Sequence, residues 1–560
     1  MAIIYVDEEK GVDAPETAGT QDAPFQSVSV AYLEKGADNE FQVKKKGEDE
    51  YKPAAKAALK KAANYADQQR KKREAAAKRA EADEAALQAT LEKAKAIKIS
   101  EDPELPAAKL INIAETNPEA IGQLRKSKDE PSSGVLRVRV QGRVQRVAKQ
   151  GGLMFVTLRR GLNLMQCLLA GELAKTYDAL TLMRETSMEV FGELWEVPAG
   201  AHAPLNRELH ADYFRIIAVA PGGDDAFTNL VPEDGDPNTL LNLRHLTLRH
   251  DKPSAVMFVR GVLEGAFHTA YKEMDVKKVS PPALVQTQVE GGATLFKFDY
   301  YGETSYLTQS SQLYLETVLP SLGDVYCIEK SFRAEKSLTR RHLSEYTHIE
   351  AELDFITFDD LLTHLEAVIC RVVDLTLEDP VAGELVKKYN PEFKKPSRPF
   401  LRMRYADAIE WLREKGIKNT EGNDHVFGDD IAEAAERKMT DEINRPIFLT
   451  HFPVEIKAFY MQKADDDKRV TESVDLLMPG VGEVVGGSMR IWDYEELLAA
   501  YKREGIDPAG YFWYLDQRKY GSSPHGGYGL GAERFLAWLM KLWTVREACL
   551  YPRFMGRCTP

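Results

Sequence analysis

The stretch SFRAEKSLTRRHLSEYTHIEAEL (residues 331–353) is rich in charge, yet both of its ends alternate in the manner of β-strands. Successive side chains of a strand point to opposite faces, so this alternation sorts residues by face. Apart from Lys330, one face carries Tyr326, Ile328, Phe332, Ala334, Thr347, Ile349, Ala351 and Leu353. The other face carries Glu329, Ser331, Arg333, Glu335, Tyr346, His348, Glu350 and Glu352. The pattern predicts two antiparallel strands whose polar sides form the floor of a cleft.

A simpler interpretation of this stretch is a solvated sheet with cross-strand salt bridges. It explains the sorting of charge by face. It explains less well why the connecting loop, KSLTRRHLS, adds Arg340 and Arg341 above a face that already carries Arg333. We therefore interpret the stretch as part of a ligand site.

Two later segments add candidate ligand-binding groups. In ESVDLLMPGVGEVVGGSMR, Asp475 and Glu483 flank a Pro-Gly turn and would suit Mg²⁺ held by a triphosphate, although acidic pairs at hairpins are common. In PHGGYGLGAERFLAWLMKL, three glycines in Gly-x-Gly-x-Gly spacing allow a ligand to approach the backbone before a helix begins. Arg534 in the first turn opposes the helix dipole, which indicates an anionic partner.

Changes of pattern divide the chain into four parts and predict an α+β protein. Residues 1–50 indicate a small α+β module or partial order, and residues 51–100 indicate a charged helix with a linker. Residues 130–225 carry about five short alternating strands typical of a small β-barrel, with an OB-fold as the obvious candidate. Residues 240–560 carry alternating strands without a βαβ succession, which favours an antiparallel sheet.

The helix in residues 51–100 nearly lacks large apolar residues and is basic over its first two thirds. It is either a solvated spacer or an arm that lies on phosphates, and its charge favours the arm. The basic residues are Lys56, Lys60, Lys61, Arg70, Lys71, Lys72, Arg73, Lys78 and Arg79.

The first strand of the barrel region, in VLRVRVQGRV, separates apolar from basic side chains. Its inward face would carry Leu136, Val138, Val140 and Val144, and its outward face Arg137, Arg139, Gln141 and Arg143. On the next strand Phe155 points outward. A ring among arginines suits single-stranded nucleic acid, because the ring stacks a base while cations hold phosphates. Taken alone, the strand is better explained by an ordinary edge-packed phenylalanine.

Composition bounds these interpretations. The 560 residues are 44% apolar, enough for several domains, and 74 Lys and Arg against 87 Asp and Glu give a net charge of −13. A polyanion would therefore have to be bound by local basic faces. Five scattered cysteines without a CxxC pair fit a reducing compartment. With no apolar run near the roughly 20 residues of a membrane span, and no leader pattern, we expect a cytoplasmic protein.

Together and in this order, the segments resemble motifs 2 and 3 of the class II aminoacyl-tRNA synthetases. The barrel before them is similar to the aspartyl, asparaginyl and lysyl branch. Strings that are most similar to its eukaryotic cytosolic asparaginyl members include VEGGATLFKFDY, YLTQSSQLYLE, TRRHLSEYTHIEAE and PHGGYGLGAERF. The resemblance runs from about residue 130 to the end and includes the basic extension. It implies ATP-dependent activation of L-asparagine, transfer to tRNA(Asn), and a homodimer built around motif 1, the helix before Met274 plus DVKKVSPP.

The resemblance also implies roles at the nucleotide. Arg333, the implied catalytic residue, would hold the α-phosphate during attack by the substrate carboxylate. Glu335 would accept a hydrogen bond from the adenine amino group, and Tyr346 would stack on the base. A second set of residues would bind the outer phosphates and Mg²⁺. Arg341 and Arg534 would clamp the phosphates beside His342. Asp475 and Glu483 would bind the metal.

For the amino acid, the resemblance implies that Arg490 faces the side-chain oxygen and Glu350 the NH₂ group, so that Glu350 would repel aspartate. Leu315 stands where the aspartyl branch usually has a lysine. Glu290 and Gln312 would take the α-amino group. An aspartyl enzyme, possibly non-discriminating, is the alternative. A catalytically inactive RNA-binding relative is a third reading, which the complete charge set opposes.

In the barrel, the resemblance implies that Phe155 and Gln166 bind the central uridine of the anticodon, by stacking and edge hydrogen bonding. Arg160, in LRRG, replaces an acid that relatives often have. The resemblance therefore does not assign the residues that contact the neighbouring anticodon nucleotides.

Overall fold

The structure, a computed structural model, describes residues 2–14, 16–115, 124–125, 135–197, 200–289, 295–336 and 339–560, without the side chains of Ala77 and Ala80. The chain forms two compact units, Met1–Gly222 and Gly223–Pro560. Within the described ranges, no helix has the length and apolar character needed to cross a bilayer.

The first unit begins with a small sheet. Its elements are β1 (Ile3–Asp7), α1 (Val28–Lys35), β2 (Glu40–Lys44) and β3 (Lys52–Pro53). Strand β1 pairs in parallel with β2, and β2 pairs antiparallel with β3. The alternating apolar residues of β1 and β2 close a core with Phe25 and Ala31.

Next comes α2 (Lys56–Ala94), a single helix of 39 residues that packs against α1. Ala62 and Ala66 are its buried contacts near α1, and Arg73 reaches Glu34 at 3.4 Å. Most other described side chains of the helix are exposed. The scarcity of large apolar residues thus has the expected consequence that the helix buries little surface.

The rest of the first unit is a barrel. Its elements are β4 (Lys109–Ile111), β5 (Arg137–Gln150), β6 (Leu153–Arg160), β7 (Asn163–Leu169), α3 (Tyr177–Leu180), β8 (Ser187–Glu196) and β9 (Arg207–Ala218). The order β5-β6-β7-β9-β8 closes through pairing of β8 with β5, and β7 runs parallel to β9. This topology confirms the predicted OB-fold. Val138, Val140 and Val144 are fully buried inside it, as their alternation predicted.

The outward face of β5 differs from the expected row of available arginines. Arg137 is only 5% exposed, because Asp212 binds its guanidinium at 2.7 and 2.8 Å and Glu101 binds it at 2.8 Å. Arg139 lies 3.5 Å from Glu189. Alternation along one strand assigns faces but does not show which carboxylates neighbouring segments bring to them.

The second unit combines helices with two sheets. Its helices are α4 (Phe227–Leu230), α5 (Pro237–Asn242), α6 (Arg244–Thr247), α7 (Asp251–Glu273), α8 (Gln312–Leu322), α9 (Phe358–Glu378), α10 (Pro380–Tyr389), α11 (Tyr405–Glu414), α12 (Glu433–Ile443), α13 (Tyr494–Glu504), α14 (Phe512–Asp516) and α15 (Ala532–Met540). Its strands are β10 (Lys277–Lys278), β11 (Leu284–Val285), β12 (Lys297–Tyr300), β13 (Glu303–Leu307), β14 (Val325–Phe332), β15 (Glu345–Asp354), β16 (Leu401–Arg404), β17 (Ile447–Thr450), β18 (Ser473–Met478), β19 (Gly482–Met489) and β20 (His525–Gly531).

The large sheet has the order β10-β14-β15-β20-β19-β18-β17-β16 and is antiparallel except at its two edges. Residues of α7, α9 and α15 pack with one face of the central strands to form the main core. The opposite face is left for polar side chains. The predicted α+β class and antiparallel sheet are therefore confirmed.

The register of β14 and β15 confirms the sorting of their residues. Cys327 pairs with Glu350, Glu329 with His348 and Ser331 with Tyr346 on the polar side. Tyr326 pairs with Ala351 and Ile328 with Ile349 on the other side, where Lys330 opposite Thr347 is the exception. Strand β14 ends at Phe332, so Arg333 and Glu335 lie just beyond the sheet rather than within it. One hydrogen bond, from the Arg333 amide to the Ser344 carbonyl at 3.0 Å, continues the pairing by one residue.

Candidate active site

A cavity of about 420 Å³ lies over the polar face of the large sheet. Every candidate residue described in this unit lines it: Gln312, Arg333, Glu335, Arg341, His342, Tyr346, Glu350, Asp475, Glu483, Arg490 and Arg534. Glu290 lies outside the described residues. Side chains separated by two hundred positions in the sequence are thus brought into one site.

One end of the cavity joins rings, guanidinium groups and a carboxylate. The guanidinium carbon of Arg333 lies 5.5 Å from the centroid of the Tyr346 ring. His342 Nε2 lies 3.5 Å from Glu335. Burial, with Glu335 opposing it, lowers the pKa of His342 and so favours the neutral imidazole. This end offers a flat aromatic surface beside a cation and a hydrogen-bond acceptor.

The hairpin of β18 and β19 supplies two carboxylates with opposite pKa shifts. Burial would raise the pKa of Glu483, but Arg534 and nearby cations lower it to about 2. Asp475 has a raised pKa, because burial, aided by the charge of Glu483, outweighs Lys457. Lys457 Nζ lies 2.9 Å from Asp475, and Arg534 Nη1 lies 3.1 Å from Glu483. The hairpin is therefore a compact set of alternating charges.

The same two carboxylates fit a magnesium ion only in part. A Cβ placed on Gly486 would lie 3.4 Å from Glu483 and 3.7 Å from Asp475, so their oxygens share the space above this glycine. Among the described residues, no three His, Cys, Asp or Glu side chains group so as to hold a metal ion themselves. Two carboxylates suit Mg²⁺ when water or phosphate supplies its other ligands.

The other end of the cavity is buried and already paired. Glu350, only 3% exposed, accepts hydrogen bonds from the Ser310 hydroxyl and, at 2.9 Å, from the Ser311 amide. Arg490 binds Glu352 through Nε at 3.2 Å and Nη2 at 2.5 Å, and donates to Ser488 at 2.6 Å. Burial and the charge of Glu316 outweigh Arg490 and raise the pKa of Glu352 to about 7.

Beneath this end lies Glu316, which sequence reasoning did not single out. Its fully buried carboxylate accepts from Gln312 at 3.0 Å, Arg518 at 2.7 Å and Tyr514 at 2.7 Å, and lies 3.0 Å from His525 Nε2. Glu316 follows Gln312 by four residues on α8, and this helical spacing was the one signal available. Arg518 and His525 come from distant segments, so no local pattern connects them.

Lys457 was missed for a different reason. It lies in a segment between strands, with no motif around it in the sequence, and reaches Asp475 only because the sheet brings the two together. Its ammonium also lies 3.8 Å from the centroid of the Phe452 ring. Only the fold identifies it as part of the site.

In the barrel, Phe155 and Gln166 lie on one outward face. Phe155 pairs with Leu168 and Thr157 pairs with Gln166, so Phe155 and Gln166 are diagonal neighbours on β6 and β7. Both side chains are partly exposed. A ring and an amide therefore lie together at this surface, and the amide also hydrogen-bonds to Glu208.

Comparison with known proteins adds independent findings. A family model described as tRNA synthetases class II (D, K and N) matches residues 236–555, and one described as asparaginal-tRNA synthetase, N-terminal domain, matches residues 20–106. The cytoplasmic asparagine–tRNA ligase of Saccharomyces cerevisiae is 52% identical, with 100% of each chain covered. The human cytoplasmic asparagine–tRNA ligase is 48% identical, again with 100% of each chain covered.

Solved structures agree. An asparaginyl-tRNA synthetase from Entamoeba histolytica in complex with asparaginyl-adenylate is 44% identical, with a TM-score of 0.72, over 78% of this chain and 99% of that one. An asparaginyl-tRNA synthetase from Pyrococcus horikoshii, complexed with asparaginyl-adenylate, is 35% identical, with a TM-score of 0.71, over 80% and 99%.

Proposed function

The chain belongs to the class II tRNA synthetases of the D, K and N group, and from that premise we propose that it is an asparagine–tRNA ligase acting in the cytoplasm. It activates L-asparagine with ATP to asparaginyl-adenylate, releases pyrophosphate and transfers the amino acid to tRNA(Asn). The observation that carries this proposal is that one cavity joins a cation-lined end to a buried end holding Glu350 and Arg490.

In the first step the asparagine carboxylate attacks the α-phosphorus of ATP in line with the leaving pyrophosphate. Arg333 is the catalytic residue, since its guanidinium at the end of β14 meets the charge that develops on the α-phosphate. Tyr346 stacks on adenine and Glu335 accepts from its amino group. The sheet holds these groups in place, so most of the catalysis is positioning and charge stabilisation.

The leaving pyrophosphate is bound by Arg341 and Arg534, with His342 beside them. Arg341 Nη1 lies 3.3 Å from Glu433 and Arg534 Nη1 lies 3.1 Å from Glu483. Asp475 and Glu483 would hold Mg²⁺, which supplies charge neutralisation at the phosphates when bound. Arg341 and Arg534 then exchange carboxylate partners for phosphate oxygens.

Specificity for asparagine follows from the charge balance of the buried end. Arg490 is matched by Glu352, and Arg518 is matched by Glu316. Glu350 then adds a carboxylate that accepts from the side-chain NH₂ of asparagine, while Arg490 donates to its oxygen. Aspartate would bring a further negative charge to Glu350. A site mismatched in this way discriminates by about 10⁴ to 10⁵.

The ammonium group of the substrate would be bound by Gln312 and by Glu290. The Gln312 amide donates to Glu316, which leaves its oxygen to accept from an ammonium. Gln312 lines the cavity on the same side as Ser310 and Glu350. The α-amino group and the side chain would thus be recognised by neighbouring residues.

For tRNA(Asn), we place the anticodon on Phe155 and Gln166 and the phosphates on α2. At 100° per residue, Lys61, Lys72 and Arg79 fall on the flank of the helix, roughly 100° from the side of Ala62 and Ala66. Lys60, Lys71 and Lys78 fall on the side opposite those alanines. That side faces away from the contact with α1. A homodimer through α7 and the strand after it completes the proposal, and sedimentation would test it.

Exchange of labelled pyrophosphate into ATP tests the function directly. We expect exchange that depends on asparagine and exceeds aspartate-dependent exchange by several orders of magnitude. Equal activation by aspartate would identify a non-discriminating aspartyl enzyme. No exchange with either amino acid would favour an inactive RNA-binding relative.

A further inference from the structure

A group of aromatic and basic residues lies at the rim of the catalytic cavity and has no role in the chemistry described above. We call it the rim patch and define it as Arg340, Trp543, Arg546 and Phe554. Trp543 is 75% exposed, although it is the largest apolar side chain of the segment that follows α15. An exposed ring of this size gains nothing from burial within the folded chain and is a common feature of binding surfaces.

The backbone fixes the rim patch against the cavity. The Arg340 carbonyl accepts from the Val545 amide at 3.1 Å and from the Thr544 hydroxyl at 2.9 Å. Glu547 accepts from the Trp543 amide at 3.0 Å. Val545 itself lines the catalytic cavity, as does Arg341 on the other side. Arg340 is therefore adjacent in the chain to a residue that lines the site, and Trp543 is two positions from one.

Each aromatic ring of the rim patch carries a guanidinium group. The guanidinium carbon of Arg340 lies 4.1 Å from the Trp543 ring centroid, and that of Arg546 lies 3.8 Å from the Phe554 ring centroid. Burial and then the charge of Arg557 lower the pKa of Arg546, so positive charges lie close together here. The nearby carboxylate of Glu547 is paired with Lys252 at 3.1 Å.

A rim that combines an exposed tryptophan with a half-buried ring and half-buried guanidinium groups is a surface that suits unpaired nucleotides. Bases of any sequence stack on an aromatic face, while arginines bind the phosphates between them. A duplex would present only phosphates and groove edges, and an exposed tryptophan ring has no base face to stack on there. We propose that the rim patch binds the unpaired nucleotides at the 3′ end of the tRNA, with a base stacked on Trp543 and phosphates on Arg340 and Arg546.

This inference rests on the proposed function. In the second step the terminal ribose of the tRNA has to reach the adenylate inside the cavity, so the nucleotides that precede it have to cross the rim. The rim patch would guide this strand as it enters. Its residues contact RNA outside the reacting atoms and therefore act in positioning.

The test combines one substitution with one truncation of the RNA. Binding of intact tRNA(Asn), and of the same tRNA lacking its unpaired 3′ nucleotides, is measured for the wild type and for Trp543→Ala. We expect Trp543→Ala to weaken binding of intact tRNA about tenfold and to have no effect on the truncated tRNA. Trp543→Phe should restore most of the loss, because it keeps a ring. Tyr520→Ala removes another exposed ring (84% exposed) and serves as the matched control.

Two results would overturn the inference. Equal losses for intact and truncated tRNA would mean that Trp543 contacts the duplex or supports the fold. No loss of affinity for either RNA would mean that Trp543 only packs against Arg340 at the surface and does not bind tRNA. Asparagine-dependent pyrophosphate exchange by the wild type needs no tRNA, so failure of the rim patch and failure of the proposed function are separate outcomes.

Discussion

The two ends of the catalytic cavity are both lined with paired charges, but they differ in burial. At the nucleotide end, the side chains of Arg534 and Glu483 are 22% and 37% exposed. At the amino-acid end, Arg490 and Glu352 are 3% and 1% exposed, and Glu316 and Arg518 are fully buried. Ion pairs near water are weak and exchange partners easily, whereas a buried pair is costly to break. The first end is built to release its partners to a ligand, and the second to keep a fixed shape.

The largest effect on activity should come from removing Arg333, the guanidinium group assigned to the α-phosphate. We expect Arg333→Ala to lower asparagine-dependent pyrophosphate exchange by about 10³-fold, because a lost charge-stabilising donor costs about 10²–10³ or more. Its melting temperature should stay near that of the wild type. Arg402→Ala, which removes an arginine paired with exposed Asp359, is the control. Near-normal exchange by Arg333→Ala would show that Arg333 does not bind the α-phosphate.

At the buried end, Glu316→Gln should affect stability as well as substrate binding. It would leave Arg518 without its buried partner, and breaking such a pair costs about 3–5 kcal/mol. Urea unfolding measures the loss, and the KM for asparagine should rise while the KM for ATP changes little. Glu366→Gln, which alters a buried glutamate that accepts from the Phe400 amide, is the matched control. Equal rises in both KM values would contradict a separate, rigid amino-acid end.

The contrast between the ends also bears on what a sequence can reveal. Alternation around Arg333, Tyr346 and Glu350 predicted both the strand pair and its polar face, because strand periodicity is a local property. The partners of these groups were less visible. Glu352 lies on that same face, but its pairing with Arg490 depends on the adjacency of β15, β20 and β19, which only the fold shows. Likewise, the alternation of β5 predicted that Arg137 is free to bind a ligand. In the structure Asp212 and Glu101, from other segments, accept hydrogen bonds from its guanidinium group.

A smaller effect is expected from Glu350→Gln, which changes recognition but leaves the Arg490–Glu352 and Arg518–Glu316 pairs in place. The substituted amide keeps an acceptor but loses the charge, so asparagine activation should fall about 10- to 100-fold. Aspartate activation should fall less or rise, since the repulsion is gone. Competing exchange assays with the two amino acids measure the ratio. An unchanged ratio would remove Glu350 from the specificity site.

A lower pH should change the selectivity of the buried end in a defined direction. The pKa of Glu352 is raised to about 7 from its ordinary 4.5, by burial first. As the pH falls through about 7, Glu352 takes up a proton and leaves the charge of Arg490 unmatched, which favours a carboxylate ligand. Discrimination against aspartate should narrow several-fold between pH 8 and pH 6. By the same shift, stability should fall as the pH rises from about 4.5 to about 7, since the folded state holds this proton longer.

The smallest effect should appear far from both ends. Replacing Lys71 and Lys72 of α2 by alanine should weaken tRNA binding a few-fold and reduce the slope of log affinity against log salt by about 2. Asparagine-dependent exchange, which needs no tRNA, should not change. Lys387→Ala with Lys388→Ala on α10 is the control pair. An unchanged salt slope would make α2 a spacer.

A crystal structure with an unreactive analogue of asparaginyl-adenylate tests the division of the cavity most directly. We predict that Glu350 lies within about 3.2 Å of the side-chain nitrogen of the ligand, that Arg490 keeps Glu352 while donating to the side-chain oxygen, and that adenine stacks on Tyr346. A side-chain amide turned away from Glu350, or an Arg490 that has left Glu352, would contradict the assignment of asparagine recognition to a preformed buried end.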